Sequence, residues 1–125
     1  MRELREAEWH VLESLWAASP KVGSQIVADM EARKGWSRST TLTMLRRMTE
    51  KGLIACDDSG KMKTYTSLIR REDAVKRETE SFLERVYQGS VSMLLNSFVE
   101  KQKLSAGEIK ELRQILDQAE EQNER

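Results

Sequence analysis

The chain has almost nothing from which to build a metal site or a nucleophilic centre. Its 125 residues include one cysteine, Cys56, and one histidine, His10. A single cysteine excludes an intrachain disulfide and any cysteine-rich zinc or copper cluster. Cys56 lies in the apolar run of residues 53–56, where a buried structural thiol is expected. His10 falls within a dense helical pattern, far from Cys56 in sequence. With no glycine-rich phosphate loop and no Ser/His/Asp set, the chain does not read as an enzyme, and neither cofactor nor metal is expected. One proline and six glycines argue against long disordered linkers. No segment approaches ~18 consecutive apolar residues, so membrane insertion is not expected. The opening MRELREAEWH lacks a signal-peptide pattern, and a cytoplasmic location is the expectation.

Net charge is also absent, with 21 basic against 21 acidic residues, but its distribution is uneven. Residues 1–70 carry 12 Lys/Arg and 9 Asp/Glu, whereas residues 71–125 carry 9 and 12. Within residues 33–71 the balance is 10 basic to 3 acidic. A neutral chain with one basic sector gains phosphate affinity there, while its acidic part limits non-specific adhesion.

That sector contains residues 36–52, WSRSTTLTMLRRMTEKG. Ser37 suits an N-cap, because its hydroxyl can accept from free backbone N–H groups of the first turn. Gly52 suits the left-handed stop, and Lys51 the negative end of the helix dipole. Thr41, Met44, Leu45 and Met48 recur at i, i+3, i+4, i+7 and mark a buried stripe. The opposite face carries Arg38, Ser39, Leu42, Thr43 and Arg46. Short donors at the N-terminal end of a basic helix suit a DNA major groove. An ordinary amphipathic helix with a solvated basic face would show the same stripe.

The flanking pattern decides between these readings. Helices are expected over residues 6–18, with Ala7, Val11, Leu12, Leu15 and Trp16 on the apolar side, and over 24–34, using Ile26, Val27 and Met30. Leu4 and Trp9 are spaced as a hydrophobic staple around Arg5. After Gly52 the period becomes extended: residues 53–56 and 62–67 read as strands joined by the turn residues Asp57, Asp58, Ser59 and Gly60. Lys61 and Lys63 fall at and just after the hairpin tip. Three helices followed by a basic hairpin is the order of a winged helix-turn-helix domain, assigned to residues 1–70 with a two- or three-stranded wing. Trp9, Trp16, Trp36 and Tyr65 read as packing residues.

The remainder, residues 71–125, reads as three helices. The first, over residues 72–88, presents Val75, Thr79, Phe82, Leu83, Val86 and Tyr87 on one side before Gly89. Ser90 caps a second with Val91, Met93, Leu94, Leu95, Phe98 and Val99. Residues 105–108 form a capping box with Leu104 and Ile109 as its staple. That helix continues through Leu112, Ile115 and Leu116 and fades into the polar tail 118–125. This unit is too small to bury so many large apolar side chains alone, so a second copy of the chain is expected to cover them, with docking onto the chain's own winged domain as the alternative.

The ordered motifs LREAEWHVLESLW, IVADMEARKGWSRSTTLTMLRRMTEKGLI, GKMKTYTSLI and SFLERVYQGSVSMLLNSFVEKQKLSAGEIKELRQIL span about residues 4–117. Together they resemble the BlaI/MecI-type penicillinase repressor family. The resemblance implies a mainly α winged-helix repressor that dimerises through three C-terminal helices and binds palindromic operators, often of TACA/TGTA half-sites. Family members control β-lactam resistance or copper handling. Where the family often starts its recognition helix Ser-Pro-Lys-Thr, this chain has Ser37-Arg38-Ser39-Thr40, and Thr40 and Thr43 match residues implicated in operator contact. Cleavage through a membrane sensor-protease pathway would fall at the pair Ser97-Phe98, in place of the family's Asn-Phe. The C-terminal cysteine cluster of copper-responsive members is missing.

The expected functional residues follow. Base readout is assigned to Arg38, Ser39, Thr40 and Thr43, with Leu42 as an apolar contact for a thymine methyl. Ser37, Arg46, Arg47, Lys61 and Lys63 are assigned to backbone and wing contacts, which position without specifying. Arg47 in an intradomain ion pair is the competing assignment. The dimer interface is assigned to Phe82, Leu83, Val86, Val91, Leu94, Leu95, Phe98, Val99, Leu112, Ile115 and Leu116. The partners expected are double-stranded operator DNA and a second copy of the chain. A MarR-like ligand-responsive regulator and a winged-helix protein-interaction module are the alternative functions.

Overall fold

A computed structural model describes residues 3–101 and 103–124. In chain order the elements are α1 (Glu6–Ala17), β1 (Lys21–Val22), α2 (Gly23–Lys34), α3 (Arg38–Glu50), β2 (Ile54–Asp57), β3 (Thr64–Ser67), α4 (Arg71–Tyr87), α5 (Val91–Glu100) and α6 (Ala106–Asn123). Two compact units meet between Ser81 and Phe82, within α4. The first unit therefore takes in the opening turns of α4, beyond the boundary at residue 70 expected from the sequence. The physical reason is Ala74, which is buried in that unit's core.

The core of the first unit forms where the apolar stripes of three helices converge. Val11, Leu12 and Leu15 of α1 meet Ile26 and Met30 of α2 and Leu45 and Met48 of α3. Leu53, Ile54, Tyr65 and Ile69 close the cluster from the wing, while Leu4, Trp9 and Trp16 pack at its edge. Large side chains buried in this way each contribute roughly 1.5–3 kcal/mol relative to exposure. The Trp16 indole also donates to the Ile69 carbonyl at 2.9 Å, fastening α1 to the segment that leads into α4.

The wing is a three-stranded antiparallel sheet in the order β1-β3-β2. The third strand, β1, pairs Lys21 with Tyr65 and Val22 with Thr64. It has only two residues, too few for any alternation to show in sequence. The hairpin ladder is shorter than expected, closing at the pair Asp57–Thr64. The Asp57 carboxylate turns away to accept from the Ser59 hydroxyl at 2.6 Å and the Ser59 N–H at 2.9 Å. These bonds hold that carboxyl below the usual carboxylate range. Met62 and Lys63 consequently lie in the loop with Lys61 rather than on the strand.

Two polar clusters fix the helices. Glu8 of α1 is 1% exposed, and its Oε2 lies 2.9 Å from Lys51 Nζ, just beyond α3. Its other oxygen accepts from the Arg5 N–H at 2.9 Å, so a carboxylate stabilises the start of α1 where arginine offers no cap. In the second cluster, Lys21 Nζ sits 2.8 Å from Asp29 Oδ2, and Ser14 and Gln25 also donate to that carboxylate. Burial pushes the Asp29 carboxyl up, but the bonds from Lys21, Ser14 and Gln25 outweigh it and hold the group below its ordinary value.

Among the described residues, buried side-chain polar atoms without a hydrogen-bond partner occur on His10 and Thr41. Thr41, on the core side of α3, is 0% exposed and its hydroxyl has no hydrogen-bond partner. A buried polar group without a partner costs roughly 1–3 kcal/mol. Thr41→Val keeps the β-branched shape and removes the hydroxyl, so it is expected to raise stability by about 1 kcal/mol. A urea midpoint that falls would contradict this.

The second unit contains the end of α4 together with α5 and α6. Ser90 accepts from the Met93 N–H at 3.2 Å. The Ser105–Glu108 capping box forms as expected, with reciprocal bonds of 3.1 Å. α6 runs on through most of the expected polar tail, to Asn123, since Ala119, Glu120, Glu121 and Gln122 offer helical propensity enough. Arg125 lies outside the described residues. No described side chain of α5 or α6 is buried.

Candidate nucleic-acid interface

α3 begins as its sequence requires. The Ser37 hydroxyl accepts from the Thr40 N–H at 3.2 Å and lies 3.0 Å from the Thr40 hydroxyl and 3.2 Å from that of Ser39. Three hydroxyls thus cluster at the N-terminal end of the helix, where free N–H groups add partial positive charge. At the other end Gly52 has φ +79°, the left-handed stop, and its N–H reaches the Thr49 carbonyl at 3.1 Å. Thr41, Leu45 and Met48 are buried while Arg38, Ser39, Thr40, Leu42, Arg46 and Arg47 are exposed and Thr43 is half-buried. The helix therefore turns to solvent the face that the sequence assigns to DNA.

The cations differ in how they are used. Lys21, Arg33, Lys51 and Arg70 all form ion pairs with carboxylates. Arg38, Arg46, Arg47, Lys61 and Lys63 form none among the described residues, so the competing assignment for Arg47 finds no partner. Unneutralised charge on α3 and the wing remains available to phosphates. A cleft of about 240 Å³ separates the two, with Arg38 and Leu42 on the helix side and Met62, Lys63 and Tyr65 on the wing side. Met62 stands in the loop before β3, although residues 62–67 read as a strand in the sequence.

The sequence profile of the penicillinase repressor family matches residues 4–118. The chain belongs to that family. It is 34% identical over 115 residues to the methicillin resistance regulatory protein MecI of Staphylococcus aureus strain N315, an alignment covering 92% of this chain and 94% of that protein. It is 31% identical over 116 residues to the penicillinase repressor of Bacillus licheniformis, covering 93% and 91% respectively. Among solved structures, the fold is similar to the solution structure of monomeric Bacillus licheniformis BlaI in complex with the blaP half-operator. That match has a TM-score of 0.52 at 26% identity and covers 58% of this chain and 88% of the other.

The apolar residues assigned to an interface all fall in the second unit of this penicillinase repressor family member. Phe82, Leu83 and Val86 lie on α4, Val91, Leu94, Leu95, Phe98 and Val99 on α5, and Leu112, Ile115 and Leu116 on α6. Leu83, Leu94, Leu95 and Leu112 are half-buried, whereas Ile115 and Leu116 are each 59% exposed. The pair Ser97-Phe98 lies within α5. The Ser97 hydroxyl donates to the Leu94 carbonyl at 2.9 Å and lies 3.0 Å from the Tyr87 hydroxyl, tying α5 to α4. Among the described residues no helix is long and apolar enough to cross a membrane, and no group of three His, Cys, Asp or Glu is placed to hold a metal ion.

Proposed function

We propose that this protein is a dimeric repressor that binds a palindromic operator ahead of an antibiotic-resistance or stress-response gene. The observation that carries this reading is the exposed hydroxyl-and-cation face of α3 beside a wing of unpaired lysines. The fold's likeness to BlaI seen with a half-operator supports it. Each protomer lays α3 in a major groove, and the pair holds two such helices about 34 Å apart, one turn of DNA. Arg38, Ser39, Thr40 and Thr43 read base edges, with Leu42 as the apolar contact at the edge of the groove. Ser37, Arg46, Arg47, Lys61 and Lys63 hold phosphates and set the register. The exposed apolar side chains of α4, α5 and α6 cover one another across the dimer. Release by a membrane sensor-protease pathway acts at Ser97-Phe98; because that bond lies in a helix, α5 must open locally before a protease can engage it.

The assignment divides labour in a way that mutants resolve. Thr43→Ala is expected to cost about 1–3 kcal/mol on the operator and little on random duplex. Lys63→Ala is expected to weaken both and to reduce the salt slope by about one. Filter binding across a salt series checks this, and equal losses for both variants on both DNAs would refute it. Failure of the parent chain to shift any duplex at low salt would favour a protein-binding module instead.

A further inference from the structure

The cleft between α3 and the wing has an unusual mixture of walls. Leu42, Met62 and Tyr65 make it apolar, while Ser24, Arg38 and Lys63 add donors and positive charge. Met62 is 63% exposed, although it stands in a loop otherwise built from Asp, Ser, Gly and Lys. Water gains nothing from an exposed methionine, so a partner that covers it should have an apolar face of its own. At about 240 Å³ the cleft is smaller than the roughly 300–1,000 Å³ typical of small-molecule sites, which argues against an effector pocket.

Position supplies the occupant. With α3 in a major groove and the wing lysines on phosphates beside it, the surface between them faces the sugar–phosphate backbone that borders that groove. We propose that the cleft seats one deoxyribose of that strand, and that Met62 makes the position selective for a 2′-deoxy sugar. This rests on the DNA-binding reading above. The furanose offers C–H groups to Met62 and Tyr65, while Ser24 and Lys63 meet the flanking phosphate oxygens and Arg38 and Leu42, on the helix wall, keep their base contacts. A 2′-hydroxyl pressed against the methionine would lose its water and gain no partner.

The test uses the full chain and a duplex recovered by its own selection from random DNA, with single ribonucleotides substituted at each position of both strands. One position in each half-site is expected to weaken binding about tenfold, the scale of one buried unpaired hydroxyl. A 2′-fluoro sugar there, which favours the same pucker without a hydroxyl to bury, is expected to be tolerated. Met62→Ala opens room for water and should reduce the ribonucleotide penalty to about threefold or less; the exposed position leaves the fold intact. No sensitive position, an equal penalty for the 2′-fluoro sugar, or a penalty unchanged in Met62→Ala overturns the proposal while operator binding stands. Failure of the parent chain to bind duplex at all would overturn the DNA-binding reading, and the cleft assignment with it.

Discussion

Lys51→Met is expected to destabilise the winged unit by about 3 kcal/mol, the lower end of the range for breaking a buried ion pair. The reason is an asymmetry between the partners: Glu8 is 1% exposed, whereas the Lys51 side chain is 31% exposed. Removing the lysine charge takes the counter-charge from a carboxylate that is 1% exposed. Removing the carboxylate charge is milder, because Lys51 can turn to solvent and a glutamine oxygen still accepts from Arg5. Glu8→Gln is therefore expected to cost about 1–2 kcal/mol, the scale of one charged hydrogen bond. Methionine keeps most of the lysine stem, so lost packing contributes little. The double variant Glu8→Leu/Lys51→Met, which removes both charges, is expected to recover to within about 1 kcal/mol of the parent. All three tryptophans, Trp9, Trp16 and Trp36, lie in this unit, so urea unfolding followed by their fluorescence reports it directly. A Lys51→Met midpoint equal to that of the parent would show that the pair contributes nothing.

Ile115→Asp combined with Leu116→Asp is expected to produce monomers and to weaken operator binding by about 100-fold or more. Both side chains are 59% exposed in the single chain, so the substitutions leave the unit's own packing largely untouched. Their effect therefore falls on association, where two charges would be buried without partners. Once the protomers separate, each recognition helix binds its half-site alone and the gain from tethering disappears. Sedimentation should give the mass of one chain, 14.5 kDa. Circular dichroism should retain the helical signal, which separates lost association from unfolding. A dimer with undiminished operator affinity would place the interface elsewhere.

The parts of the fold that were legible in sequence are those set by local chemistry. Ser37 and Gly52 bound α3, and the stripe from Thr41 to Met48 turned inward, because caps and a 3.6-residue period act over a few residues. Ser105 and Glu108 formed their capping box for the same reason. Long-range pairing was not legible. Nothing in the local pattern of α1 marks Glu8, and only the approach of Lys51, 43 residues away, makes it a buried anchor. β1 appears only because Tyr65 and Thr64 lie opposite Lys21 and Val22. The expected strand over residues 62–67 included Met62, but the ladder closes at Asp57–Thr64, where the Asp57–Ser59 turn begins. The face of α3 was readable as a surface, whereas the cleft beside it depends on where the wing folds back.

The most direct test of a dimeric operator-binding repressor is selection of bound sequences from a random duplex pool by the full chain at moderate salt. The expected outcome is an enriched inverted repeat whose half-site centres lie about one helical turn apart, bound by two chains per duplex. A pool with no enriched sequence, or a single half-site bound by one chain, would contradict the account.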